Sequence, residues 1–413
     1  MSFLLGFRSE DKILTKSATL FIIYRILKAF VFIYSVIVLY YRSFGLNFTT
    51  LMIISSAESI VQLVFEIPSG ILADILGKKR IVILGLVCNM VAFIFWIVHP
   101  GFILFFLAEI VAAFGDACIS GADGAIIYNK FVSHGQEESY RLFQGRVSAI
   151  LWIVSAIASV ASGVLFRQNK YFPFVLSAVF ILCALLAFLR IKTEPIIENA
   201  NAELDAQEKE PVFRQIREHF RINLKLFWSD KKLLTVLLLS AVITLGASNA
   251  IYLSQELLTS MGLDVRFLGI VFLVGKVTAS MGAALSEKFE KKLKRGFLYT
   301  ILMMIGSVLC ILVLNNLYLS FVVLLIIYFC LGLSGPMIMT EVFRCGNNEN
   351  RATIGSASGF ADALVLVLAD PLLGYAADKL GLTLSYGLLG ILILAITITA
   401  WFVLKNTSRF HPA

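Results

Sequence analysis

Long apolar runs separated by short polar breaks organise this chain from residue 18 to residue 404. A membrane-crossing helix needs about 20 predominantly apolar residues. Runs of that order occur at 18–41, 50–71, 81–99, 102–129, 144–166 and 172–190. A polar stretch at 191–232 follows, and then runs at 233–253, 266–285, 297–315, 317–342, 352–375 and 383–404. The pattern predicts an all-α integral membrane protein with about twelve spanning helices, six on either side of the polar stretch. Residues 1–190 are expected to form one bundle, 191–232 a linker and 233–413 a second bundle. After Pro211, Val212, Ile216, Phe220 and Leu224 recur beside basic residues. That spacing predicts an amphipathic helix lying on the membrane surface, with a plain tether as the alternative.

The basic residues are confined to short breaks and the linker. One set of alternate segments carries Arg8, Lys12, Lys16, Lys78, Lys79, Arg80, Lys130, Arg141, Lys288, Lys291, Lys292, Lys294, Arg295, Arg344, Arg351, Lys405 and Arg409. The opposite set carries Arg42, Arg167, Lys170, Arg266 and Lys379. Cytoplasmic loops are enriched in Lys and Arg, so both termini are expected in the cytoplasm of a cell membrane.

Composition agrees with a lipid solvent. Hydrophobic residues make up 59% of the chain and charged residues 15%, against about 25% charged in soluble domains. Mean hydropathy is +0.88. The net charge of +8 reads as topology signal and lipid-headgroup contact, not nucleic-acid binding. The cysteines, Cys88, Cys118, Cys183, Cys310, Cys330 and Cys345, form no C-x-x-C pair. They read as small buried hydrophobes, so neither a disulfide framework nor a metal site is expected. No cofactor is expected either. The basic segment 1–17 precedes a long apolar run without an A-x-A site, which reads as a first membrane helix and not a cleaved signal.

The segment 70–80 carries the sharpest motif: Gly70, Asp74 and Gly77, then Lys78, Lys79 and Arg80. It is expected as a short loop whose glycines allow a tight turn and close helix approach. It resembles the G-x-x-x-D-x-x-G-[RK]-[RK]-[RK] loop between helices two and three of the major facilitator superfamily. With Glu66 and Pro68 it resembles the E-x-P-x-G-x-x-A-D variant of bacterial members. The stretch 119–128 resembles the same permeases. The resemblance implies twelve transmembrane helices in two pseudo-symmetric six-helix bundles that rock about a central cavity lined by helices one, four, seven and ten. It also implies that Asp74 locks the cytoplasmic side against the start of helix eleven, near 353–356. A carboxylate at a helix start gains up to about 1 kcal/mol, enough to bias two states. Two departures weaken a drug–proton exporter reading. Val111 stands where the R-x-x-x-G arginine of helix four would be, and helix five lacks Gly-Pro. The second half repeats the motif weakly at 282–288, in the expected loop between helices eight and nine. Gly374 to Gly381 has the same look at the far end of helix eleven, where it reads as a turn signal and not a second gate.

Charges within the apolar runs are costly in lipid, so each points to a cavity or a partner. Glu109, Asp116 and Asp123 are seven apart and share one stripe of helix four. Glu58, Gln62 and Glu66 share a face of helix two. Arg25 or Lys28 on helix one is expected to pair with Glu66, and Lys276 with Asp362, while Arg146 is within reach of Asp123. Asp116, near mid-depth and with no basic residue one turn away on its own helix, is the leading proton-coupling carboxylate. Gly335 and Pro336 mark a candidate hinge in helix ten, with a static kink as the alternative.

No H-E-x-x-H, nucleophile elbow or phosphate-binding loop is present, so an enzyme is not expected. The favoured reading is a secondary active transporter, a monomer exporting a small amphipathic or cationic compound in exchange for protons. Tyr24, Tyr34, Phe114 and Tyr252 near the acids suit a cation. The alternatives are uptake of a small metabolite (sugar, amino acid or organic anion) by Arg25, Lys28 and Lys276, or a non-transporting membrane sensor. The topology has a direct check. Single cysteines at 200–210 should resist an impermeant thiol reagent added outside, and one at Asn169 should label; the reverse would invert the orientation.

Overall fold

The computed structural model describes residues 12–98, 101–120, 122–191, 214, 221, 231–293, 296–344 and 351–408. Among the described residues there is no strand. The helices are α1 (Lys12–Ala29), α2 (Ile37–Arg42), α3 (Phe48–Leu76), α4 (Lys78–Val98), α5 (Phe102–Ser120), α6 (Ala122–Ser133), α7 (Glu137–Gln168) and α8 (Phe172–Leu189). After the linker come α9 (Lys231–Ser260), α10 (Leu268–Leu293), α11 (Phe297–Ile311), α12 (Leu317–Arg344), α13 (Arg351–Leu380) and α14 (Leu382–Ser408). Among the described residues, eleven spans are long and apolar enough to cross a membrane. The amphipathic helix expected after Pro211 lies outside the described residues, apart from Arg214 and Arg221, which are helical.

The first run, 18–41, is not among those spans because it is broken. It leaves the helix after Ala29 and resumes at Ile37. No Gly or Pro interrupts Phe30 to Val36. The intervening aromatic and β-branched side chains are only moderate helix formers, and neighbouring helices satisfy the freed backbone. The Phe32 amide donates to the Ser177 hydroxyl of α8 at 2.8 Å, and the Val38 amide donates to Gln255 Oε1 of α9 at 3.0 Å. Phe30 and Phe32 also pack on Phe180 of α8. Broken helices persist at membrane depth only where such partners exist.

Two expected loops are helical. α3 continues through a buried Pro68 to Leu76, so only Gly77 separates it from α4. Gly77 has φ +92°, and its carbonyl accepts the amides of Arg80 and Ile81. The segment 282–288 lies within α10 and not in a loop. A Cβ on Gly282 would collide with the Phe329 carbonyl of α12, and one on Gly332 with the Ala279 carbonyl of α10. These glycines exist for backbone contact between α10 and α12, the way small residues let membrane helices approach.

By packing, the chain divides into two compact units. The first is Met1–Tyr34 with Val61–Phe220; the second is Ser35–Ile60 with Arg221–Ala413. Ser35–Ile60 thus packs with helices that follow the linker, although it precedes the linker in sequence. The first unit has a core of Phe21, Tyr24, Phe131, Phe143 and Phe188 with surrounding aliphatics. In the second, Leu258, Leu268, Val271 and Leu324 form a smaller cluster. Ile103, Trp152, Ile153, Leu368 and Leu372 are exposed, as lipid-facing positions must be. Gly332→Val should lower stability by about 1–3 kcal/mol or more by forcing α10 and α12 apart, read as a reduced thermal midpoint of the detergent-solubilised protein.

Candidate functional site

The first unit gathers two ion pairs from three helices, with an asparagine from a fourth. Arg25 and Lys28 lie one turn apart near the end of α1, and so share a face. Arg25 Nη1 meets Asp123 Oδ2 of α6 at 2.6 Å. The Tyr24 hydroxyl donates to the same oxygen at 3.2 Å. Lys28 Nζ lies 3.2 Å from Asp116 Oδ1 of α5, and Asn89 Nδ2 of α4 donates to that oxygen at 3.1 Å. Glycine sets this geometry. A Cβ on Gly115 would sit 2.7 Å from the Gly85 carbonyl oxygen and 2.6 Å from Asn89 Oδ1. Without side chains there, α4 and α5 approach closely enough for Asn89 to reach Asp116.

The pairs differ in access. The Asp123 side chain is 1% exposed and that of Asp116 is 44% exposed. Their cations, Arg25 and Lys28, are 26% and 25% exposed. Asp123 is therefore enclosed by a guanidinium and a phenol, whereas the Asp116 side chain is nearly half exposed. Removing one partner of an enclosed pair strands a charge; leaving both keeps the pair neutral.

The second unit holds its own buried polar groups on α9 and α13. The Thr244 hydroxyl donates to Asp362 Oδ2 at 3.2 Å, and Asp362 Oδ1 is buried with no hydrogen-bond partner among the described residues. Asn249 Nδ2 donates to Asp370 Oδ1 at 2.8 Å, and the Tyr386 hydroxyl donates to the Asn249 carbonyl at 3.0 Å. Asp370, Asn249 and Tyr386 are all buried.

The family model of the Major Facilitator Superfamily matches residues 20–369. The chain belongs to the major facilitator superfamily. A curated relative, the uncharacterized MFS-type transporter YxaM of Bacillus subtilis (strain 168), is 24% identical over 260 residues, 62% of this chain and 62% of YxaM. The chain thus matches less than two thirds of that relative's length. The fold is similar to a mutant of the nucleoside transporter NupG, with TM-score 0.75, 12% identity, 96% of this chain and 99% of that chain covered. It is also similar to the peptide transporter POT in complex with sulfate, with TM-score 0.68, 13% identity and 96% of each chain covered. With its membrane-length apolar helices, the chain is a multi-pass membrane protein of this superfamily.

Within this superfamily member the sequence-predicted residues fall as follows. Arg25 and Lys28 meet Asp123 and Asp116; the side chain of Glu66, the expected partner, lies outside the described residues. Asp123 takes Arg25 and Tyr24, and Arg146 is half-buried on α7. Asp116 lacks a basic neighbour on its own helix, but α1 supplies Lys28. The partner given to Asp362 is Thr244; Lys276 is half-buried on α10. Glu109 is buried on α5 and Glu58 half-buried on α3. In the 70–80 motif, Asp74 and Arg80 are exposed and Lys78 is half-exposed. A Cβ on Gly70 would meet nothing within 4 Å, so the tight geometry expected of both glycines belongs to Gly77. Lys79 Nζ donates to the carbonyls of Leu189 and Ile191 at 3.1 and 2.7 Å, capping the end of α8. Gly335 is exposed and open, and Pro336 lies inside a continuous α12.

Sequence reasoning missed Asn89, Asn249 and Asp370. Asp370 was detectable as an aspartate before a proline in an apolar run. The asparagines carried no signal beyond their polarity. Arg25→Ala should destabilise the protein by about 3–5 kcal/mol by leaving Asp123 buried and uncompensated. Arg25→Ala with Asp123→Ala should recover much of that loss, measured by chemical unfolding in detergent.

Proposed function

We propose that the protein is a proton-coupled exporter of small amphipathic or cationic compounds, working by alternating access as a monomer in a bacterial cell membrane with both termini cytoplasmic. The observation that carries this reading is the asymmetry of the two ion pairs. Arg25–Asp123 is enclosed and serves as a fixed strut. Lys28–Asp116 is longer, and its carboxylate is nearly half exposed. A proton or an organic cation can displace Lys28 from Asp116 without uncovering a buried charge. The two ligands then compete for one carboxylate, which is the simplest form of antiport coupling. Phe114, two residues before Asp116 on the same helix and packed edge-on against Phe65, offers an aromatic surface for an amphipathic cation. Asp74 is read as the latch of one end of the pathway, Gly335 and Pro336 as the bending point of α12, and the basic loops as lipid-headgroup contacts.

A second reading has a specific observation behind it. Arg25 and Lys28 are each about a quarter exposed. Protonation of Asp116 would free Lys28 to hold an anionic metabolite, which is uptake by symport. One variant separates coupling from binding. Asp116→Asn should abolish uphill, protonophore-sensitive transport while sparing substrate exchange, assayed in vesicles with substrates from an untargeted uptake-and-efflux screen. A variant that still concentrates substrate in a protonophore-sensitive way would exclude Asp116 as the coupling site. Cations among the screened substrates favour export, and anions favour uptake.

A further inference from the structure

The unit Gly-x-x-Ala-Asp-x-Leu-Gly occurs twice, from Gly70 to Gly77 and from Gly374 to Gly381. The copies end α3 and α13. Both final glycines take the left-handed conformation that terminates a helix, with φ +92° at Gly77 and +85° at Gly381. In both, the alanine (Ala73, Ala377) is buried and the aspartate (Asp74, Asp378) exposed. The local structures therefore match; among the described residues, their contacts do not.

At the second copy, the Asp378 carboxylate sits on the first turn of α3. The Phe48 amide donates to Oδ1 at 2.8 Å, the Thr49 amide to Oδ2 at 2.8 Å and the Thr49 hydroxyl to Oδ2 at 2.6 Å. One turn earlier, a Cβ on Gly374 would lie 2.6 Å from the Phe48 carbonyl oxygen and 2.8 Å from Thr49 Cα. The helix start is thus held by charge-assisted bonds and bare backbone contact, with no interlocking side chain at Gly374. At the first copy, Gly70 faces open space and Asp74 is exposed. α3 has 29 residues, about 43 Å at ~1.5 Å per residue. Asp378 therefore engages α3 at the end opposite to Asp74.

We propose that Gly374, Asp378 and Gly381 form a second latch, which clamps the first turn of α3 to α13 and releases when that end of the helices opens in the transport cycle. By sequence this segment reads only as a turn. The latch is suited to reversal because its carboxylate and the Thr49 bonds are exposed, so water replaces them on opening without a buried charge being stranded. The segment leading into α3 is tied to α9 by the Val38–Gln255 bond and by Arg42 Nε at 3.5 Å from Glu256 Oε1. Release should therefore loosen α2 together with the start of α3. The inference requires neither the substrate class nor the coupling ion proposed above.

Hydrogen exchange of the full-length protein in lipid nanodiscs tests it. Asp378→Asn should speed amide exchange about tenfold over 48–54, from loss of charge-assisted bonds, with a parallel rise over 37–42. A Thr49→Cys/Asp378→Cys variant, oxidised, should slow both segments below wild type, and reduction of the same preparation should reverse this. Because both halves come from one sample, the comparison stands even if Asp378→Asn fails to fold. A rise confined to 48–51 would make Asp378 a static helix cap and overturn the latch. So would oxidised and reduced forms that exchange alike.

Discussion

Inside a bilayer, every ionised side chain and every free backbone amide must be met by another polar group, because no water is there to meet it. This constraint organises the whole structure. It explains why α1 can break between Ala29 and Ile37: Ser177 and Gln255 take the amides that leave the helix. It explains why Arg25 and Asp123 are found together, and why Asn89 joins Lys28 at Asp116. It also explains the Thr244–Asp362 and Asn249–Asp370 contacts of the second unit. Each of these polar residues is half of a contact, and the contacts tie particular helices together.

Which helices can meet is decided by residues with no side chain. Gly85 and Gly115 bring α4 against α5; Gly282 and Gly332 bring α10 against α12; Gly306 and Gly390 bring α11 against α14. Apolar attraction does not select partners among helices already in hydrocarbon, so close backbone approach and hydrogen bonds must do so. A working transporter needs some of these contacts permanent and others separable. Buried pairs such as Arg25–Asp123 fit the first role. Exposed ones, such as Lys28–Asp116 and Asp378 on the start of α3, fit the second, since their groups can exchange partners for water.

Lys79 illustrates how one residue serves two levels of organisation. As part of a basic cluster it is a topology signal. In the structure it also caps the carbonyls that end α8, tying the 70–80 motif to the point where the chain leaves the first set of helices. The signal and the cap use the same property, a long flexible stem carrying a charge to a helix C-terminus.

The membrane class, the succession of spans and the superfamily were legible in the chain itself. Hydropathy is a sum over neighbouring residues, and the 70–80 motif is a contiguous string. Asp116 and Asp123 were also legible as residues of consequence, because a charge in an apolar run is costly wherever it points. Their partners were not. Arg25 meets Asp123 and Lys28 meets Asp116, because close packing at Gly85 and Gly115 and the placing of α1 against α5 and α6 decide those distances. The break in α1 was hidden for the same reason: its stability resides in Ser177 and Gln255, on helices far along the chain. The extension of α3 through Pro68, and the engagement of Asp378 with α3, likewise needed the tertiary structure. Sequence alone carried the cost of each buried group; only the fold supplied the group that offsets it, since a hydrogen bond or an ion pair is a property of two positions in space.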